Sequence, residues 1–169
     1  MRKFLLALVV LGGTALSGMA QTGSSSTDGK FSIGLDAGLP VGNTSIVFST
    51  VIGGSLKYEA PILTNTFATF SAGYSAFLTK SVWKNLGVPA SAGFIPLKAG
   101  IKTYPTEGIF LEGQLGVVFS TESNGGHAFV YSPGVGYTFS SGFEAGIRYE
   151  GWSNNGTTSQ VALRLAYRW

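Results

Sequence analysis

The 169-residue chain has no cysteine, a single histidine, six prolines and few charges, only 11% of its residues. Without cysteine it carries no disulfide framework, no thiolate metal site and no lipid-modified N-terminal Cys. A zinc centre needs three or four convergent ligands, so a lone His127 argues against one. Phosphate-cradling loops need a following helix and lysine. Gly53-Gly54 and Gly125-Gly126 have neither, and read as strand flexibility and a turn. Beyond the first twenty residues no segment shows a helical period. No cofactor is expected.

The N-terminus accounts for part of the formal charge of +3. Arg2 and Lys3 precede an apolar run from Phe4 to Leu11. Gly18-Met19-Ala20 then supplies the small residues of a cleavage site. This is the pattern of a secretory signal peptide, residues 1–20, and it is too short for a comfortable transmembrane helix. Without Arg2 and Lys3, nine of the 11 basic residues remain against eight acidic ones, a net of +1. Such a balance gives no support for nucleic-acid binding. Residues 21–30 (QTGSSSTDGK) read as a flexible leader, and residues 31–169 as one domain.

That domain divides into eight segments separated by turn signals. The expected strands are Phe31–Leu39, Thr50–Ala60, Thr66–Leu78, Gly93–Tyr104, Gly108–Ser120, Ala128–Phe139, Gly142–Gly151 and Ser159–Trp169. A tilted strand needs about nine to eleven residues to cross a bilayer, and each segment supplies at least nine. Pro96 and Pro133 fall inside strands and cannot donate to a ladder, so a bulge or local break is expected at each. Phe67 and Phe70 demand a change of apolar register in the third strand, which suggests a further bulge.

Alternation gives each strand two chemically distinct faces. In the last strand one face is Val161, Leu163, Leu165, Tyr167 and Trp169; the other is Ala162, Arg164, Ala166 and Arg168. The fifth strand sets Ile109, Leu111, Leu115, Val117 and Phe119 against Glu112 and Gln114. A soluble barrel with an apolar interior fits the same alternation. Three features favour the inverted, membrane arrangement. The polar faces are rich in Gly and Ala, as a narrow interior requires. Nearly all strand charges share one face. Aromatics collect near strand ends, as the interfacial girdles of membrane barrels do. The expected periplasmic girdle is Phe31, Tyr58, Phe67, Tyr104, Phe110, Tyr137, Phe139, Phe143, Tyr167 and Trp169. The expected outer girdle is Phe77, Phe94, Phe119, Phe129, Tyr149 and Trp152.

Hydrocarbon offers nothing to an open sheet edge, so spanning strands must close. The expectation is an all-β, closed, eight-stranded antiparallel up-and-down transmembrane β-barrel. Its interior is just filled by its own side chains. The inward polar network is Asp36, Lys57, Glu59, Lys98, Lys102, Glu112, Gln114, Glu144, Arg148, Glu150, Arg164 and Arg168. Asp36 and Arg164 are expected to pair across the seam. Lys98 with Gln114, or Lys102 with Glu112, are expected to meet between the fourth and fifth strands. The network either plugs the barrel or lines a gated ion path.

The signal peptide, the stretches Ile95-Pro96-Leu97-Lys98-Ala99-Gly100-Ile101-Lys102-Thr103-Tyr104 and Arg148-Tyr149-Glu150-Gly151-Trp152, and the ending Leu163-Arg164-Leu165-Ala166-Tyr167-Arg168-Trp169 together carry a family likeness. The chain resembles the small porin-family outer-membrane β-barrel proteins of Gram-negative bacteria, most closely the Bacteroidetes type. The resemblance implies an outer-membrane location and contact with its lipid. It also implies insertion by the barrel-assembly machinery, which reads a terminal aromatic strand, here Tyr167 and Trp169. Relatives serve as anchors, adhesins, minor channels or lipid-modifying enzymes, and fold does not choose among them. Lipid A deacylases of this size pair His and Ser on a strand. Here His127-Ala128-Phe129 lacks that pair, leaving Ser132, Glu122 and Glu150 as the only companions for His127. A non-catalytic structural or porin-like role is expected. Trp83 and Trp152 are the best anchors for an unidentified extracellular ligand.

Overall fold

A computed structural model describes residues 29–122, 125–154 and 156–169. The expected signal peptide and all but the last two residues of the leader lie outside the described residues. Eight strands follow: β1 (Lys30–Val41), β2 (Phe48–Leu63), β3 (Thr66–Thr79), β4 (Ser91–Thr103), β5 (Ile109–Ser120), β6 (His127–Thr138), β7 (Phe143–Ser153) and β8 (Thr157–Arg168). Each pairs antiparallel with its sequence neighbours, and β1 pairs with β8 to close the barrel. At the seam the Phe31 and Trp169 backbones exchange N–H···O bonds of 3.1 and 3.0 Å. Among the described residues every strand has a partner strand on both sides, which is the condition for burying strands in hydrocarbon.

Six of the eight strands run longer than expected, β5 and β6 excepted, and Pro40 and Pro61 lie within strands rather than ending them. Both sit near strand ends, where a missing N–H costs least. The outside loops hold two single turns of helix, α1 (Thr44–Val47) and α2 (Ser81–Lys84), too short to announce themselves as a period in the sequence. On the opposite rim the connections are tight. Asn65 (φ 61°) and Gly142 (φ 87°) take the left-handed conformation that such turns need.

Pro96 and Pro133 do not form bulges. Pro96 stays in register with Val118 on β5, and Pro133 with Gly113 on β5. On the other side of each proline the ladder lapses. Pairing of β3 with β4 skips from Ala72↔Leu97 to Ser75↔Phe94, and that of β6 with β7 from Tyr131↔Gly151 to Gly134↔Arg148. Register is the same before and after the gap, so each proline removes pairing on one side without displacing the strand. Nor does β3 carry a bulge beside Phe67 and Phe70, since its register with β4 is constant from Thr66 to Leu78. Phe67 simply faces the opposite way from Phe70. The register shifts lie in the pairing of β2 with β3, at Phe48/Thr50 and at Pro61/Leu63.

The apolar face points outward. Leu35 is 74% exposed, and Ile33, Leu56, Leu111, Leu115, Val135, Ile147, Leu163 and Leu165 are exposed around the wall. The inward face holds Glu59, Lys102 and Glu150, all with 0% exposure. A water-soluble protein does not expose so continuous an apolar surface around a charged core. This is a polar-in, apolar-out transmembrane barrel.

Candidate functional site

The lumen is the site. All twelve polar residues expected inside face it, because they share one parity along each strand. Their ion pairs resolve into three groups. In the middle, Lys57 Nζ bonds both carboxylate oxygens of Glu112 at 2.6 Å. Nearer the short turns, Lys102 Nζ reaches Glu59 at 2.7 Å and Glu144 at 2.5 Å, and Arg168 Nη1 lies 3.4 Å from Glu59. The Thr138 hydroxyl donates to Glu144 at 2.8 Å, and the Lys102 ammonium rests 4.2 Å from the centre of the Phe110 ring. Toward the outer end, Lys98 Nζ donates to Glu150 at 2.6 Å, and Arg148 contacts Asp36 at 3.2 Å and Glu150 at 3.3 Å.

Pairing across the seam occurs: Arg164 Nη1 lies 3.4 Å from Asp36 and also bonds Ser55. The expected contacts between β4 and β5 do not form. Lys102 and Glu112 are backbone partners, yet their side chains part. Lys102 crosses to β2 and β7, and Glu112 crosses to β2. Lys98 likewise passes over Gln114 to reach Glu150 on β7, while Gln114 donates to Thr69 at 3.2 Å. A lysine stem is long relative to so narrow an interior, so the far wall competes with the neighbouring strand. These cross-lumen pairs tie opposite walls together.

Aromatic residues pack together inside the outer end. Phe77 (0% exposed) stands against Phe48, Phe94 and Trp152 with ring centroids 5.4, 5.5 and 5.0 Å away. Val51, Val118 and Val130 complete this cluster. The expected girdles are corrected accordingly. Phe77, Phe94 and Trp152 are inside the barrel at the outer end, and Phe110 is inside at the other. Phe67 packs edge-on against Tyr104, 5.9 Å away, and Tyr104 turns its hydroxyl to Thr138 at 3.0 Å. Phe119, Phe129, Tyr137, Phe139, Phe143, Tyr167 and Trp169 are exposed on the wall. Parity was the available signal, since Phe77, Phe94, Phe110 and Trp152 share the parity of inward polar residues on their own strands.

Trp152 is therefore no loop anchor. It is 3% exposed, and its indole N–H donates to Glu150 at 2.9 Å. Trp83 lies on α2 and donates to the Ile46 carbonyl at 2.9 Å, joining two outside loops. His127 and Ser132 lie on opposite faces of β6, the histidine exposed and the serine buried. They are five residues apart, about 16 Å along a strand. Glu150 is committed to Lys98 and Trp152, and Glu122 is exposed in the loop after β5. These residues do not converge.

Two vestibules open at the ends. The outer one, about 520 Å³, is floored by Phe94, Val118 and Trp152. The other, about 790 Å³, is bounded by Phe67, Tyr104, Thr138 and Arg168.

No protein-family profile and no curated protein matches the chain. Solved structures do. Ail, the attachment invasion locus protein of Yersinia pestis, is similar over 83% of this chain and 97% of its own, with 16% identity and a TM-score of 0.58. The N-terminal β-barrel domain of Pseudomonas aeruginosa OprF is similar over 84% and 100%, with 14% identity and a TM-score of 0.57. The outer-membrane enzyme PagL is similar over 80% and 98%, with 16% identity and a TM-score of 0.60. At these identities what is shared is the fold. Closed barrels with an even strand number, an apolar wall and a polar lumen are the architecture of bacterial outer membranes. By that architecture the chain is a small eight-stranded integral β-barrel protein of the bacterial outer membrane.

Proposed function

We propose that this protein is a sealed, non-catalytic barrel with a structural role in the outer membrane. The observation that carries this reading is the aromatic cluster of Phe48, Phe77, Phe94 and Trp152, which fills the outer end of the lumen above interlocked ion pairs. Channels of substantial bore belong to larger barrels. Burying so many charges is costly unless each is paired, and the pairing is extensive here. The separation of His127 from Ser132 supports the absence of acyl-transfer chemistry, which needs nucleophile and base within hydrogen-bond reach. Its partners are outer-membrane lipid around the wall and the barrel-assembly machinery, which reads Tyr167 and Trp169 during insertion. Nucleic acid is not a partner. Porin-family membership of the Bacteroidetes type belongs to this reading, and rests on the Ile95–Tyr104, Arg148–Trp152 and Leu163–Trp169 stretches.

The test is conductance of the purified protein in planar bilayers. A sealed barrel gives no stable current steps above those of protein-free bilayers. Steady ohmic steps from the wild-type protein would overturn the reading in favour of a porin-like channel.

A further inference from the structure

The lumen is not charge-neutral. Among the described residues it holds the carboxylates of Asp36, Glu59, Glu112, Glu144 and Glu150 and the cations of Lys57, Lys98, Lys102, Arg148, Arg164 and Arg168. Six cations thus face five carboxylates. The ion pairs locate the imbalance. Lys57 and Glu112 cancel, and Lys102 and Arg168 cancel Glu59 and Glu144. What remains is Lys98, Arg148 and Arg164 against Asp36 and Glu150, a local excess of one positive charge.

Hydrogen bonding shows a deficit in the same place. Arg164 is 7% exposed, and its Nη1 reaches Ser55 and Asp36. Its Nε and Nη2 meet no hydrogen-bond partner among the described residues. Arg148 Nε, Asp36 Oδ1 and Gln160 Oε1 also make no aligned hydrogen bond among the described residues, though Asp36 Oδ1 lies 3.2 Å from Arg148 Nη1. Asp36 is divided between two guanidinium groups, so neither is fully matched. A buried guanidinium with two unpartnered nitrogens, three N–H donors in all, beside an uncompensated charge is an expensive arrangement. One small anion accepting those donors removes both deficits at once.

We propose that the lumen binds a single small monovalent anion of the halide class, chloride in the cell, at Arg164. This goes beyond the sealed-barrel reading: a sealed lumen can hold the ion without conducting it, so the conductance result does not decide it. The Arg164 guanidinium packs over Gly34, where any side chain would displace it. An eight-stranded interior is just filled by its own side chains, which restricts any anion there to a compact one.

The experiment uses the full barrel refolded in detergent micelles at fixed ionic strength, with sodium chloride or bromide replacing sodium gluconate. Wild type should show a saturable rise in Tm with halide, about 3–6 °C at tenfold excess over half-saturation for a domain of this size. Arg164→Gln should abolish the rise. Asp36→Asn removes a competing carboxylate from the same cluster and should lower the half-saturating halide concentration. Crystals grown in bromide should show an anomalous peak within hydrogen-bond distance of Arg164. If Arg164→Gln does not fold, Asp36→Asn and the bromide peak decide. Identical Tm in halide and gluconate, a full halide shift in Arg164→Gln, or no bromide peak at Arg164 would overturn the site.

Discussion

The two ends of the lumen are filled by opposite means. At the outer end Phe48, Phe77, Phe94 and Trp152 pack against one another, and the nearest charge is Glu150 beneath the Trp152 indole. At the other end Lys102 and Arg168 hold Glu59 and Glu144, with Tyr104 and Phe110 pressed against the cations. The wall is the same, so the difference lies in what each filling contributes. Apolar packing is non-directional and closes space. Charged hydrogen bonds fix distances between particular strands, here β2, β4, β7 and β8, and so specify how the barrel is closed. In the proposed sealed barrel the outer end is the seal, and the opposite end the clamp.

The clamp should fail hardest when halved. Lys102→Met leaves two buried carboxylates without their ammonium, and should cost about 3–5 kcal/mol in urea unfolding from micelles or bilayers. Conductance of the variants that still insert should remain near zero, because the aromatic seal is intact. Phe77→Ala should cost a similar or slightly smaller amount, about 3–4 kcal/mol, through the cavity it leaves. Unlike the lysine variant it should produce measurable current steps in planar bilayers. If Lys102→Met leaks and Phe77→Ala does not, the roles of the two ends are reversed.

Smaller effects sharpen the comparison by leaving both ends alone. Leu163→Arg or Leu111→Arg on the wall should cost about 2–4 kcal/mol near the bilayer midplane and leave conductance unchanged. Heat-modifiable gel mobility and urea titration would report it. Neutral outcomes at both positions would mean that the outward face does not meet lipid. The least change is expected for Trp83→Phe, which removes one exposed hydrogen bond between outside loops, about 0.5–1.5 kcal/mol or less. Equal losses for Trp83→Phe and Phe77→Ala would deny the outer cluster its special place.

Most of the architecture is legible in the chain because period-two alternation is a local property. Eight strands, their faces and the twelve lumen residues follow from it. The aromatics show where the reading goes astray. Phe77, Phe94, Phe110 and Trp152 sit near strand ends, and their position suggested a lipid interface. Their parity matched the charged residues instead, and parity won, since a strand cannot turn one side chain to the other face without a bulge. Phe48 is the converse case. The register shift between Phe48 and Thr50 turns it inward against the parity of β2, and nothing short of the paired strands reveals that shift. The two prolines illustrate a middle ground. Loss of the donor was plain from the sequence, but which neighbour would lose its pairing was not.

Sequence alone determined that this chain forms spanning strands with a charged inner and an apolar outer face, because each of those properties is written within ten consecutive residues. Only tertiary structure decided which charges meet. Asp36 and Arg164 are adjacent across the seam and pair as backbone neighbours. Lys57, Lys98 and Lys102 instead span the lumen to strands remote in sequence, to Glu112, Glu150, and Glu59 with Glu144. Those contacts depend on strand stagger and lumen width, which are set when the barrel closes and by no single segment.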